Sequence, residues 1–403
     1  MAGRANPLLD LLHREAARAP LTFRAFMELA LYHPEWGYYC WPGITLGREG
    51  DFITGPHQSP WFGRLLAKQL HQCWERLGAP SRFEAVEFGP GAGWLALDVL
   101  ETIQARWPAL WEAFRYTLVE VSAPLREAQG RLLEGLVRRG AAVRWLAPGE
   151  WGEVLSREGW EGAALAHEFL DAFPVHRVRL EGGELRELYV RSRQGELAEE
   201  AGPLSEERLE GYFPRAGVAL GEGQVAEVNL AALDWVAQVG QSLSRGYLLI
   251  FDYGFSAPAL YAPERAGGSL TCYRRHRAHH NPYARPGEED ITAHVDFSSL
   301  LREAEGRGFA FAGFTDLAHF LLSLGLAEEL GAASVPAGGA HPREVLQAKA
   351  LLIDEGLGGT IKALALAKDA PDELAGFAQK PTDRASWLTL REGRPPSQKN
   401  DAP

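Results

Sequence analysis

Apolar positions recur at helical spacing in the first part of the chain and run together as short buried segments through its middle. The stretches Pro7–Ala19 and Thr22–Tyr32 predict two helices, the second with Phe23, Phe26, Met27, Ala30 and Leu31 on one stripe. Periodicity then lapses over 32–56, an aromatic-, Gly- and Pro-rich stretch long enough to predict a binding loop or lid. Within it, Tyr38–Trp41 reads as an aromatic staple over the core, and Gly50–Ser59 as the covering loop. A helix over 61–77 stops at Gly78, with Pro80 beyond. Phe83–Phe88 reads as a buried strand, followed by a helix from Trp94 to about Ala105, a strand over 116–120, a helix over 123–139 and a strand over 141–146. Residues 163–174 predict a fourth strand running into a polar turn. After a helix over 226–243, Gly246–Asp252 forms the chain's clearest buried strand. Asp296 fits as the cap of a helix over 298–306, and strands are expected at Phe309–Gly313 and Gly359–Leu364.

This alternation predicts an α/β fold with a mixed sheet. Residues 175–225 break the pattern with a hairpin-like meander turning at Gly182-Gly183 and an acidic, loop-rich sequel. They read as an inserted lobe of antiparallel strands. The expected divisions are N-terminal helices and a covering loop (1–80), a core (81–174 and 226–370), the lobe (175–225) and a flexible tail (380–403).

The chemistry concentrates at FEAVEFGPGAGWLALDVL, residues 83–100. A strand breaks into Gly89-Pro90-Gly91-Ala92-Gly93 and resumes as a helix, the arrangement that sets bare backbone against a ligand. With Glu87 in front, the spacing is E-x-G-x-G-x-G. The dinucleotide fingerprint needs its last glycine one residue later. Glu87 would repel phosphates but can receive an ammonium group, so a nucleoside carrying an amino acid fits better: S-adenosylmethionine (SAM). The next strand ends in Glu120, where a carboxylate can accept both hydroxyl protons of a ribose. At the carboxyl edge of the fourth strand, His167, Glu168 and Asp171 are expected to project toward the same ligand.

Composition narrows the field. The 403 residues carry 41 basic and 53 acidic side chains, a net charge of −12 that argues against general nucleic-acid binding. Three dispersed cysteines, Cys40, Cys73 and Cys272, indicate neither a disulfide framework nor a zinc knuckle. His294-Val295-Asp296 carries the H-x-D half of an iron site, with His319 or His341 as a third ligand, but Asp296 also serves as a helix cap. No metal is expected. No run approaches a membrane span and the N-terminus is interrupted by charge, so the protein is read as cytoplasmic. The oligomeric state stays open, a homodimer included. The basic segment within 268–297 reads either as a lid or as a solvated loop.

The chain resembles the MidA-like family of class I SAM-dependent methyltransferases, to which the mitochondrial arginine methyltransferase of complex I assembly belongs. The matching stretches are ALYHPEWGYY (30–39), GDFITGP (50–56), VEFGPGAGWLALDVL (86–100), HEFLDAFPV (167–175), IFDYG (250–254) and PGEEDITAHVDF (286–297). The resemblance implies a class I (Rossmann-like) seven-stranded methyltransferase sheet, SAM as cofactor and a protein arginine as acceptor. It adds Gly50, Asp51, Phe52 and Thr54 to the expected cofactor contacts Glu87, Gly89, Pro90, Gly91, Gly93 and Glu120. Two places depart from the family pattern: Pro56-His57-Gln58-Ser59, where Glu usually precedes the Ser, lacks that carboxylate and has the His57 imidazole close by, and His167 stands where Asn is usual.

A guanidinium is a poor nucleophile until carboxylates localise its charge on one nitrogen, so Glu168 and Asp171 are the expected catalytic pair. Two competing readings remain at this level. One is an assembly or scaffold factor that binds SAM without turnover. The other is a dinucleotide oxidoreductase, which the glycine spacing disfavours.

Overall fold

The computed structural model describes residues 6–41, 59–275, 277–333, 342–352 and 357–379. Residues 42–58 and those from 380 on lie outside them.

The central sheet grows from β2 (Phe83–Phe88), whose side chains are buried on both faces, as in a parallel strand covered by helices. β3 (Phe114–Val119) and β4 (Ala142–Leu146) extend the sheet on one side, all parallel. On the other side stand β5 (Trp160–His167) and β10 (Leu243–Phe255), also parallel. β16 (Ile361–Lys368) inserts antiparallel beside β10, and β15 (Ala310–Asp316) closes the edge. The spatial order is β15-β16-β10-β5-β2-β3-β4, with short β14 (Val295–Asp296) also on β10. This is the expected class I sheet. Its direction of growth reverses between β2 and β5, and open α/β sheets bind ligands outside the carboxyl ends at such a switch point.

Two apolar layers cover the sheet. One joins Trp61, Phe62 and Leu66 of the helix Trp61–Arg76 and Leu95 and Val99 of the helix Trp94–Arg106 to sheet residues such as Tyr116 and Phe251. The other joins Phe88, Trp151 and Trp160 to Trp235 and Val236 of the helix Leu230–Ser242.

An antiparallel sheet lies outside this core, in the order β1 (Leu21–Thr22), β7 (Glu184–Arg193), β6 (His176–Glu181), β9 (Val225–Val228), with β8 (Glu196–Gly202) on β7. Its first strand comes from the N-terminal segment, and it runs on to Val228. A helix expected from 226 therefore begins later. Val225–Val228 pairs with β6, and Asn229 caps the helix by accepting from the Ala232 N–H at 2.9 Å. Residues 268–297, read as lid or loop, contain a small sheet of β12 (Arg277–His279), β11 (Thr271–Arg274) and β13 (Asp290–Thr292). The last two strands of the central sheet run several residues beyond their expected ends, because apolar residues continue through Phe314 and Leu366.

Candidate active site

The glycine turn sits at the switch point. Gly89 adopts φ +64°, and a Cβ there would stand 2.5 Å from the Phe169 ring, so only glycine lets the backbone lie this close. Gly93 is the left-handed N-cap of the helix Trp94–Arg106, at φ +87°. A cavity of about 560 Å³ opens over this turn. Glu87, Gly89, Pro90, Gly91, Glu120, His167 and Glu168 all line it. Gly93 and Asp171 are not among its lining residues. Gly50, Asp51, Phe52, Thr54 and His57 lie outside the described residues.

Each carboxylate of the glycine side is buried. Glu87 accepts from the Tyr116 hydroxyl at 3.0 Å, and burial pushes its carboxyl up to about 8. Glu120 accepts from the Ser122 N–H at 2.9 Å and from Gln129 Nε2 at 3.2 Å; burial raises it to about 7 against those bonds. Gln129, fully buried, also donates to the Gly91 carbonyl at 2.7 Å and accepts from Trp145 Nε1 at 2.9 Å. One amide thus ties the glycine turn to the acid of the next strand. Sequence reading passed over Gln129, whose sole signal is its place one helical face along from Ser122.

On the neighbouring strand, Glu168 follows the end of β5 at φ +47°, an uncommon conformation for a residue with a side chain. Its N–H donates to the Phe251 carbonyl at 2.8 Å. Asp252 holds the turn that follows: its carboxylate accepts from the Phe169 and Leu170 N–H groups at 3.1 and 2.8 Å. His167 packs its ring 4.7 Å from Phe62, with Nε2 3.5 Å from the Glu168 carboxylate. Asp171 is buried near Asp252 and Asp290 and is not among the lining residues. Burial and the nearby Asp252 hold its carboxyl well above the ordinary range. Burial likewise lifts Asp252 to about 7.

The N-terminal segment supplies the remaining wall. Tyr32, Tyr39, Arg24 and Glu28 line the cavity, contributed by the helix Phe23–Tyr32 and the residues after it. The aromatic segment is thus part of the cavity as well as a staple over the core. His341, one of the two candidate third iron ligands, lies outside the described residues. Asp296 caps the helix Phe297–Glu305 through the Ser298 and Ser299 N–H groups, and the His294 ring packs 5.2 Å from Phe255.

A family model described as S-adenosyl-L-methionine-dependent methyltransferase matches residues 65–315, well over half of the chain. The chain belongs to this family. The methyltransferase is 32% identical to the protein arginine methyltransferase NDUFAF7 homolog, mitochondrial, of Drosophila melanogaster, over 76% of this chain and 72% of that protein. It is 30% identical to the Mus musculus protein arginine methyltransferase NDUFAF7, mitochondrial, over 81% and 76%. A crystal structure of a Burkholderia thailandensis protein bound to S-adenosyl-homocysteine superposes with a TM-score of 0.82 at 32% identity, covering 93% of this chain and 95% of that one. The methyltransferase is SAM-dependent, and the oxidoreductase and turnover-free readings fall away.

These relatives also correct the expected cytoplasmic location, since the fly and mouse proteins are named mitochondrial. Neither an N-terminus interrupted by charge nor the lack, among the described residues, of a helix long and apolar enough to cross a membrane specifies a compartment.

Proposed function

We propose that the methyltransferase transfers its methyl group to an arginine side chain of a protein, with SAM lying over Gly89–Gly93 and the acceptor entering beside Glu168. The observation that carries this reading is one cavity lined by two buried carboxylates beside the glycine turn and by a third that follows a neighbouring strand. The names of the fly and mouse relatives support a protein arginine as acceptor.

The residues present suit SAM. A bare turn that a Cβ at Gly89 would close, a helix N-terminus and two carboxylates match a ligand with an ammonium group, a diol and no phosphate. Glu87 would take the ammonium and Glu120 the ribose hydroxyls. When bound, SAM supplies a methyl group activated by its sulfonium. Glu168 would pair with one end of the guanidinium, drawing positive charge there and leaving the far nitrogen nucleophilic. Its left-handed turn, fixed by Asp252, aims the carboxylate without help from a flexible loop, so positioning does most of the work. Asp171 would act from behind, on the placement of the turn.

Purified protein, incubated with methyl-tritiated SAM and cell extract, tests this directly. Mass spectrometry should place the label on arginine in a small number of proteins. Label confined to lysine, to carboxylates or to small molecules would reject the acceptor reading.

A further inference from the structure

Tyr32 and Tyr39 form a feature that the reaction outlined above leaves unused. Their rings stack with centroids 5.5 Å apart and an interplanar angle of 23°, and both line the cavity. Each hydroxyl is tied down outside the pair. Tyr32 donates to the Ala172 carbonyl at 2.9 Å, on the turn that begins at Glu168. Tyr39 donates to Asp290 Oδ1 at 2.8 Å, on β13. Desolvation of the hydroxyl ends holds both phenols well above their ordinary range, so they stay neutral. Both rings are half-buried although their hydroxyls are engaged, which leaves ring surface for the cavity.

We propose that Tyr32 and Tyr39 form the wall of the acceptor subsite and bind the flat cation of an arginine side chain opposite Glu168. Ring faces carry the negative part of the aromatic quadrupole, and a guanidinium stacks on them while its edge pairs with a carboxylate. The titratable groups around the pair are carboxylic acids, whose ionised forms match a guanidinium in sign. Asp171, Asp290 and Glu120 all lie near enough to Tyr32 to act on its hydroxyl. A neutral side chain of the same shape would gain neither the ring nor the carboxylate interaction. Two tethered tyrosines also lose little freedom on binding, having been ordered by folding. The wall would select for positive charge and planarity together, which separates arginine from its neutral isosteres. This inference rests on the arginine reading and assigns residues to it.

The test uses full-length protein loaded with S-adenosyl-homocysteine. The probes are Nα-acetyl-L-arginine amide and its neutral isostere Nα-acetyl-L-citrulline amide, followed by saturation-transfer NMR. The arginine probe should saturate, with the citrulline probe at least about tenfold weaker. Tyr32→Phe and Tyr39→Phe keep the rings and should stay within about threefold of the parent. Tyr32→Leu and Tyr39→Leu should weaken the arginine probe by about tenfold while leaving S-adenosyl-homocysteine affinity unchanged. The phenylalanine variants keep the proposal open to refutation even if a leucine variant fails to fold, since loss of arginine binding there would place the effect on the hydroxyl tethers. Equal binding of the two probes, no saturable arginine binding, or leucine variants that bind arginine like the parent would overturn it. So would a leucine variant that weakens SAM but not S-adenosyl-homocysteine with arginine binding untouched, because the rings would then face the sulfonium. An unchanged S-adenosyl-homocysteine affinity in Glu120→Ala would instead fault the cofactor seat, and the arginine arm, repeated on unloaded protein, would still read the tyrosine wall.

Discussion

The side-chain amide of Gln129 donates to the Gly91 carbonyl at 2.7 Å and, from the same nitrogen, to Glu120 at 3.2 Å. A glycine turn and a strand-end carboxylate, separated by a helix and a strand in sequence, thereby share one buried donor. Leucine in place of Gln129 would fill the space but leave Gly91, Glu120 and Trp145 each short of a partner. Loss of a hydrogen bond to a charged group is worth about 1.5–3 kcal/mol. Calorimetric titration should show SAM affinity reduced roughly ten- to a hundredfold in Gln129→Leu. A change within about twofold would mean that the turn holds its shape unaided.

Gly89→Ala probes the close approach itself. The new methyl would lie 2.5 Å from Phe169 at a backbone angle that disfavours any side chain. Either the turn or the Phe169 ring must shift, so SAM binding should fall at least tenfold, with melting temperature lowered as well. Normal SAM affinity in a folded Gly89→Ala protein would remove the glycine turn from the cofactor seat.

Burial raises the Glu87 carboxyl from 4.5 to about 8 and the Glu120 carboxyl from 4.5 to about 7. Folding therefore makes both groups hold protons they would lose in an unfolded chain. The stability this contributes is complete below the unfolded value and disappears as pH rises through the folded one. Ligand-free protein should melt at progressively lower temperature from about pH 5 to about pH 8. An ammonium ligand favours ionised Glu87, so S-adenosyl-homocysteine should bind more tightly, with proton release, over the upper part of that range. Glu87→Gln should flatten both trends; melting curves with the same pH slope as the parent would contradict the assignment to Glu87.

Glu168→Gln keeps shape and removes charge. A group acting mainly on the reacting acceptor lowers turnover and spares cofactor binding. Methyl transfer should drop about a hundredfold or more, as for loss of one well-placed stabilising group, with SAM affinity near normal. Asp171→Asn should behave differently. Its side chain is buried and does not line the cavity, and burial with the nearby Asp252 holds its carboxyl well above the ordinary range, so transfer should stay within about tenfold. If the two variants lose transfer equally, Asp171 belongs with the acceptor and the division of roles drawn here fails.

Much of the cofactor side was legible because it is local. Glu87, the three glycines and the strand-end Glu120 lie on consecutive elements, and a strand–turn–helix unit brings its own residues together wherever it folds. The acceptor side is assembled from distant pieces. Tyr39 reaches Asp290 across 251 positions, and Tyr32 reaches Ala172 across 140. Nothing in an aromatic-rich segment distinguishes a ring that lines a cavity from one that staples a core, since both are apolar and both resist solvent. The helix expected from 226 went astray for a similar reason: Val225–Val228 is too short for its period to show, and only its partner β6 makes it a strand.

The sequence by itself determined the order of strands and helices, the turn at the switch point and the pair of acids beside it. Those follow from hydrophobic period, glycine and the right-handed crossover that parallel strands impose. It placed Glu168 and Asp171 together, three positions apart with the same charge. Only the tertiary structure gives them different surroundings. Asp252, 83 and 82 positions further on, accepts the N–H groups of Phe169 and Leu170, and with that the backbone at Glu168 turns left-handed. Glu168 then lines the cavity, and Asp171 is buried without lining it. A choice made by hydrogen bonds from a strand that distant leaves no trace in the local sequence, because the residues that make it are neighbours only after folding.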